Sequence, residues 1–127
     1  MAIHAEDMVV DKPEQLEKIE DFCLPEETIR AVFDLKGGGT GFLGITDKRV
    51  IFYDKAFMHK RKAMVTIPYG KIHAISSEDN TGMLIKRGFF ASSKLGIHAG
   101  ADAFEFEFRG GDKAHQAYRI IMAYLLR

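Results

Sequence analysis

Residues that could do chemistry are few in this sequence. The single cysteine, Cys23, lies between Phe22 and Leu24, which favours a small buried apolar residue over a nucleophile. Glu105 and Glu107 share one face of a predicted strand and could pair as acid and base, but alternating glutamates are ordinary on a solvent face. None of the five histidines has a second His, Cys or carboxylate at metal-binding spacing. They are His4, His59, His73, His98 and His115. We therefore expect no enzyme, no metal and no cofactor.

The three consecutive glycines at 37–39 invite comparison with a phosphate-binding loop. Such a loop continues into Lys-Ser or Lys-Thr and joins a strand to a helix. Here the glycines join two predicted strands and no such pair follows, so we interpret them as a flexible turn.

Composition indicates one compact globular unit. The chain has 127 residues, of which 46% are hydrophobic, enough for one core. It contains no apolar run of membrane-spanning length, and its acidic start lacks the pattern of a signal peptide. One cysteine excludes an internal disulfide, and these features together predict a cytoplasmic protein.

The formal net charge of +0 conceals two oppositely charged parts. Residues 1–27 contain nine Asp and Glu against two Lys, and residues 28–127 carry a balance of +7. The acidic segment could neutralise the basic body by packing on it. Alternatively, the basic surface could serve an anionic partner.

The N-terminal region is predicted to hold one short helix. Residues 1–12 show no convincing periodicity, so we expect a loose segment followed by one domain at 13–127. Asp11 is a plausible N-cap, Pro13 suits the first turn, and Leu16 and Ile19 recur at helical spacing, which places a helix at about 13–22.

The pattern changes to period two from Thr28 onward. Residues 29–36 alternate, which predicts one buried face made by Ile29, Ala31, Phe33 and Leu35. Further strands are predicted at 41–46 and 49–55, which meet at Asp47-Lys48, and at 64–67, 72–76, 94–99 and 104–109. Residues 83–93 could be a strand or a protruding loop.

A second helix is predicted at about 113–126, with Asp112 as its N-cap. One face carries an apolar stripe, which consists of Ala114, Ala117, Tyr118, Ile121, Tyr124 and Leu125. Ile120, Met122 and Leu126 are apolar as well and lie partly off this stripe. Deeper packing of the helix explains them, and so does contact with another subunit.

This order of elements resembles the pleckstrin-homology fold, a barrel of about seven antiparallel strands in two orthogonal sheets capped by a C-terminal helix. The sequence is similar to the bacterial pleckstrin-homology-like family, specifically its YokE-like group, over about 16–127. The segments that carry the resemblance are Leu24-Pro25-Glu26-Glu27, the run from Gly41 to Tyr53, Ile67-Pro68-Tyr69 with Lys71-Ile72, and Arg87-Gly88-Phe89-Phe90 with Lys94-Leu95.

The resemblance implies a binding or assembly module without known catalytic activity. Eukaryotic relatives often bind phosphoinositides through basic residues in the loop between the first two strands. Here that loop is 36–41 and contains one lysine, so the phosphoinositide pattern is absent.

Two sets of residues are therefore the candidate contacts. The first set is basic and consists of Lys36, Lys55, His59, Lys60, Arg61 and Lys62. It suits an anionic membrane surface, although a solvated hairpin loop is the simpler account. No nucleic-acid-binding motif accompanies these residues. The second is apolar and suits a protein partner or a second copy: Phe89, Phe90, Ile120, Met122 and Leu126. We expect a non-catalytic interaction module, most simply a protein-contact or self-assembling one, with peripheral membrane binding as the alternative.

Overall fold

A computed structural model describes residues 2–36, 41–53, 64–79 and 92–127. Contacts divide the chain into two compact units, Met1–Tyr69 and Gly70–Arg127. The chain is mainly β, with a five-stranded sheet in the first unit and a three-stranded sheet followed by a helix in the second. The predicted fold class is confirmed, but the described strands form two separate sheets and not one closed barrel. The prediction of a single domain at 13–127 stays a prediction.

The described residues of the first unit form helix α1 (Pro13–Phe22) and five strands in sequential order. The strands are β1 (Ile3–Val10), β2 (Thr28–Asp34), β3 (Phe42–Thr46), β4 (Arg49–Tyr53) and β5 (Met64–Pro68). The predicted helix and the hairpin turn at Asp47-Lys48 are confirmed. A 3-10 turn, Tyr69–Lys71, follows β5.

The predicted loose N-terminal segment is wrong, because residues 3–10 form strand β1. It pairs parallel to β2, whereas only antiparallel pairing was predicted. The pairing of β1 with β2 is interrupted between His4 and Val9. The apolar residues of β1 therefore do not alternate regularly along the sequence, and a regular alternation is the signal that would have identified the strand.

The predicted buried face along 29–36 is confirmed, because Ile29, Ala31, Phe33 and Leu35 are all buried. The predicted solvent face is wrong, since Val32 and Asp34 are buried as well and both faces of the strand are covered there. Ile29 pairs with Thr46 and Ala31 with Ile45, so Arg30 is an extra, bulged residue at which the strand changes face.

Helix α1 packs on one face of this sheet. Ile19 is fully buried against a cluster that includes Ile29, Val32, Ile51 and Tyr53. Gly44 makes room for it, since a Cβ there would lie 2.7 Å from Ile19 Cδ1. Side chains before and within α1 also hold Asp34: Gln15 Nε2 donates to its Oδ1 at 2.8 Å.

The predicted N-cap of α1 is wrong. Lys12 occupies the N-cap position, and no side chain caps the helix there. Asp11 Oδ2 instead accepts a hydrogen bond from the backbone N–H of Asp34 at 2.9 Å, which ties the chain before the helix to the end of β2.

The described residues of the second unit form three antiparallel strands and helix α2 (Lys113–Leu125). The strands are β6 (Ile72–Asp79), β7 (Ser92–Ala99) and β8 (Asp102–Arg109), in that order. Leu95, Ile97, Phe106 and Phe108 are buried, as are Ala114, Ala117 and Ile121 of the predicted helical stripe.

Asp112 is the N-cap residue of α2, but its side chain does not cap the helix. Its carboxylate accepts a hydrogen bond from Gln116 Nε2 at 3.0 Å. Ser93 of β7 supplies the cap instead: its Oγ accepts from Ala114 N at 2.8 Å and donates to Gly110 O at 2.8 Å.

Candidate functional site

The predicted basic cluster cannot be assembled from the described residues. Lys55, His59, Lys60, Arg61 and Lys62 lie outside them, as do Phe89 and Phe90. Lys36 is described and is half-buried directly after Leu35. The anionic-surface site therefore stays a prediction.

The structure separates the three apolar residues predicted on the C-terminal helix. Ile120 and Met122 are half-buried, and Leu126 is 76% exposed at the C-cap. At 3.6 residues per turn, Met122 and Leu126 share one side of the helix and Ile120 lies on the opposite flank of the buried stripe. Met122 and Leu126, without Ile120, can thus belong to one contact surface.

We call the solvent side of this helix the α2 outer face. Its exposed residues are His115, Arg119, Ala123, Leu126 and Arg127, with Met122 at its border. Neither α2 nor the two residues after it contain an acidic side chain. The Arg127 guanidinium carbon lies 4.7 Å from the centre of the Tyr124 ring, which holds one cation against the helix. The outer face is therefore cationic with an exposed apolar residue.

A buried polar cluster in the described part of the first unit is centred on Glu27, and we call it the Glu27 network. The Glu27 side chain is 1% exposed. Arg49 grips it with two hydrogen bonds, from Nε to Oε2 at 2.9 Å and from Nη2 to Oε1 at 3.0 Å. Thr46 Oγ1 donates to Oε2 at 2.6 Å, and Leu24 N donates to Oε1 at 2.9 Å.

The same arginine joins three elements. Arg49 Nη2 donates to Phe22 O at the end of α1 at 2.7 Å, and Nη1 donates to Thr66 Oγ1 of β5 at 3.0 Å. The network thus connects the Leu24–Glu27 and Thr46–Arg49 segments, both of which carried the family resemblance. Sequence reasoning identified the two segments but not that they meet.

Four donors saturate the Glu27 carboxylate, which fixes its charge. Burial alone would raise the pKa of Glu27, but the hydrogen bonds from Arg49, Thr46 and Leu24 and the positive charge of Arg49 outweigh it and hold the pKa below its ordinary value. The hydrogen bond to Glu27 raises the pKa of Arg49. An ionised carboxylate with every oxygen engaged stabilises the fold and is poorly placed to act as a base.

Cys23 lies beside this network and is protonated at neutral pH. Burial, assisted by the charge of Glu27, raises its pKa to about 11. Because the thiolate is the nucleophilic form, the sequence-based interpretation of Cys23 as a packing residue agrees with its surroundings.

The structure brings together two histidines that are distant in sequence. The rings of His73 and His98 lie 6.1 Å apart, centre to centre, on neighbouring strands of the second unit. His4 Nε2 lies 3.3 Å from Glu20 Oε2, and His115 Nδ1 lies 3.2 Å from Ser77 Oγ. No group of three or more metal-ligating side chains occurs in the described part of the chain.

The predicted carboxylate pair has ordinary surroundings. Glu105 is exposed opposite Gly96 of β7, and Glu107 is half-buried opposite Lys94. A cross-strand cation beside a glutamate is a common stabilising pair on a sheet.

None of the helices in the described ranges is both long and apolar enough to cross a membrane.

Comparison with known proteins identifies the fold and the family. A pleckstrin homology domain from Shewanella amazonensis has a TM-score of 0.63 to this chain and 18% sequence identity, and the match covers 92% of this chain and 90% of that one. A protein with a pleckstrin-homology domain from Shewanella loihica also has a TM-score of 0.63, at 16% identity, and the match covers 88% of this chain and 91% of that one. The C-terminal domain of an unknown protein from Leishmania infantum matches with a TM-score of 0.54 at 19% identity, over 90% and 94%. Comparison with curated proteins gives no match. A family model described as the bacterial PH domain matches residues 18–122, and the chain therefore belongs to the bacterial PH-domain family.

Proposed function

We propose that this PH-like domain is a non-catalytic contact module that binds a second copy of itself through the α2 outer face. The observation that carries the proposal is Leu126, an apolar side chain 76% exposed beside the exposed cations Arg119 and Arg127. Large exposed apolar residues with a charged rim are typical of protein contacts.

Charge complementarity within the chain supports a second copy as the partner. Helix α1 exposes Glu14, Glu17 and Asp21 against one exposed cation, Lys18. An acidic α1 of one copy fits the cationic α2 outer face of another. Such a head-to-tail contact uses two different surfaces, so it can add further copies.

The expected contact is weak. The α2 outer face is one side of a 13-residue helix, which is smaller than the roughly 800 Å² per partner of a standard stable interface. We therefore expect association in the micromolar range or weaker. Because much of the attraction is between exposed charges, it should decrease as salt rises from about 0.05 to 0.5 M.

Sedimentation velocity across a concentration series tests the proposal. Leu126→Asp should shift the protein to monomer, whereas Leu24→Ser, which changes another exposed leucine, should leave association unchanged. Arg119→Glu should weaken association, because it removes a cation from the α2 outer face. Mixing this variant with Glu17→Arg should restore association between the two proteins, because the charges of the two contacting helices are then exchanged. A wild-type protein that stays monomeric at millimolar concentration, or a Leu126→Asp variant that associates like wild type, would refute the proposal.

Two finer predictions remain beside it. Binding of an anionic membrane through the loop at 55–62 is tested by sedimentation with anionic and neutral liposomes, and equal absence of binding would exclude it. Assignment to the YokE-like group rests on the motif spacing alone.

A further inference from the structure

His73 and His98 stand side by side on the second unit. His73 lies at an irregularity of β6, where Ile72 pairs with Ala99 and Ala74 with His98, so one residue is extra. Their ring planes are tilted by 49° with centres 6.1 Å apart. Both residues are exposed, so an ion from solution can reach them.

The hydrogen bond of His73 selects its tautomer. Its Nε2 lies 3.2 Å from the carbonyl oxygen of Gly100, in the turn between β7 and β8. A carbonyl oxygen only accepts, so Nε2 carries the hydrogen and Nδ1 of the neutral ring keeps a bare lone pair. Histidines that ligate metals commonly donate their other N–H to a backbone carbonyl in this way, which fixes the ring orientation.

We propose that His73 Nδ1 and one ring nitrogen of His98 form a two-histidine site for a borderline divalent ion such as Zn²⁺, with water completing the coordination. An ion about 2.0–2.1 Å from one nitrogen of each ring places the ring centres about 5 Å apart in tetrahedral geometry. The rings must therefore approach by about 1 Å, a distance that rotation of the exposed His98 side chain can cover.

The neighbours of the pair leave room for an ion. His98 is flanked across the sheet by Ala74 on β6 and Ala103 on β8, which are both small. The nearest acid in the adjoining turn is Asp102, the first residue of β8, which lies opposite Ala99. Since no third protein ligand is present within the described ranges, we expect a weakly held, exchangeable ion and not a resident cofactor.

Zn²⁺ titration followed by calorimetry and by NMR of the histidine ring nitrogens tests this inference. One ion should bind, the Nδ1 resonance of His73 should shift, and His73→Ala or His98→Ala should each weaken binding at least 10-fold. His4→Ala and His115→Ala serve as matched controls and should change affinity less than twofold. Melting curves without Zn²⁺ should show that all four variants fold, because the four side chains are exposed.

Two results would overturn the inference. One is Zn²⁺ affinity in His73→Ala and His98→Ala equal to that of wild type. The other is a shift of only one ring nitrogen, which would indicate a single-histidine contact. The proposed self-contact uses helix α2 and is tested by sedimentation without Zn²⁺. Failure of the Zn²⁺ titration would therefore leave that proposal intact.

Discussion

The two helices in the described part of the chain are attached to their sheets by different sets of contacts. Helix α1 and the loop after it are connected to the hairpin by the Glu27 network, a buried ion pair with its hydrogen bonds. Helix α2 is attached by Ala114, Ala117 and Ile121, which are fully buried, and by the single serine cap from Ser93. Helix α1 also packs through the buried Ile19, so its attachment combines apolar area with directional charged contacts, whereas that of α2 depends mainly on area.

This difference predicts different responses to mutation. Removing one member of a buried ion pair leaves an uncompensated charge, which costs more than the pair itself contributes. Removing one apolar contact or one cap costs an amount limited by that contact. Four predictions test this contrast, in order of decreasing expected effect.

Arg49→Met should give the largest loss. The Glu27 carboxylate would stay buried without its cation, and we expect the free energy of unfolding to fall by about 3–5 kcal/mol. The double variant Glu27→Leu/Arg49→Met should recover most of this, because an apolar pair needs no compensating charge. Urea denaturation measures both, with Lys94→Met, an exposed cation of β7, as the control. A single-variant loss below about 1 kcal/mol would show that solvent screens the pair.

Gly44→Ala should destabilise by about 1–3 kcal/mol through steric conflict with α1. The new Cβ would lie 2.7 Å from Ile19 Cδ1 and 3.0 Å from its Cγ1 and Cγ2. Ile19→Val removes the nearest of these atoms, so the double variant should lose less than the sum of the singles in thermal unfolding. Gly70→Ala is the matched control, since nothing lies within 4 Å of a Cβ there. Strict additivity would show that α1 shifts freely on the sheet.

Ser93→Ala should cost about 1–2 kcal/mol, the value of one helix cap and one hydrogen bond. The loss should appear first as faster amide hydrogen exchange at Ala114 and in the first turn of α2. Ser76→Ala changes an exposed serine of β6 and should have little effect. Unchanged exchange at Ala114 would mean that water replaces the serine hydroxyl without cost.

Acid should weaken the first helix attachment by a smaller amount. The pKa of Glu27 is below its ordinary value of 4.5 in the folded chain, so its contribution is fully present above about pH 4.5 and is lost as pH falls through the folded value. Denaturant midpoints measured from pH 7 to pH 3 should therefore fall more for wild type than for Glu27→Leu/Arg49→Met. Parallel curves would assign the acid sensitivity to other carboxylates.

The positions of most elements could be predicted from the sequence because their signals are local. Proline and helical spacing define α1 within 13–22, and alternating phenylalanines define β8. Branched and aromatic residues on both sides of the turn at Asp47-Lys48 define the hairpin. Each of these signals lies within about ten residues and needs no knowledge of the partner strand.

The candidate sites were only partly predictable. Leu126 was identified from its position off the helical stripe, and its exposure agrees. The candidate contacts Ile120, Met122 and Leu126 stay predictions, and the helix places Ile120 on the opposite flank from the other two. His73 and His98 were judged to be scattered, since 24 residues lie between them in the sequence, whereas the sheet places their two strands side by side.

By itself, the sequence determined most of the segments that become strands and helices, although not β1, and its short motifs carried the family. Only the tertiary structure decided how those segments meet. The bulge at Arg30 exchanged the faces of β2, the interrupted β1 found a parallel partner, and Glu27 met Arg49 across 22 residues. Register between distant strands depends on backbone pairing and packing of the whole sheet, and no local period in the chain encodes it.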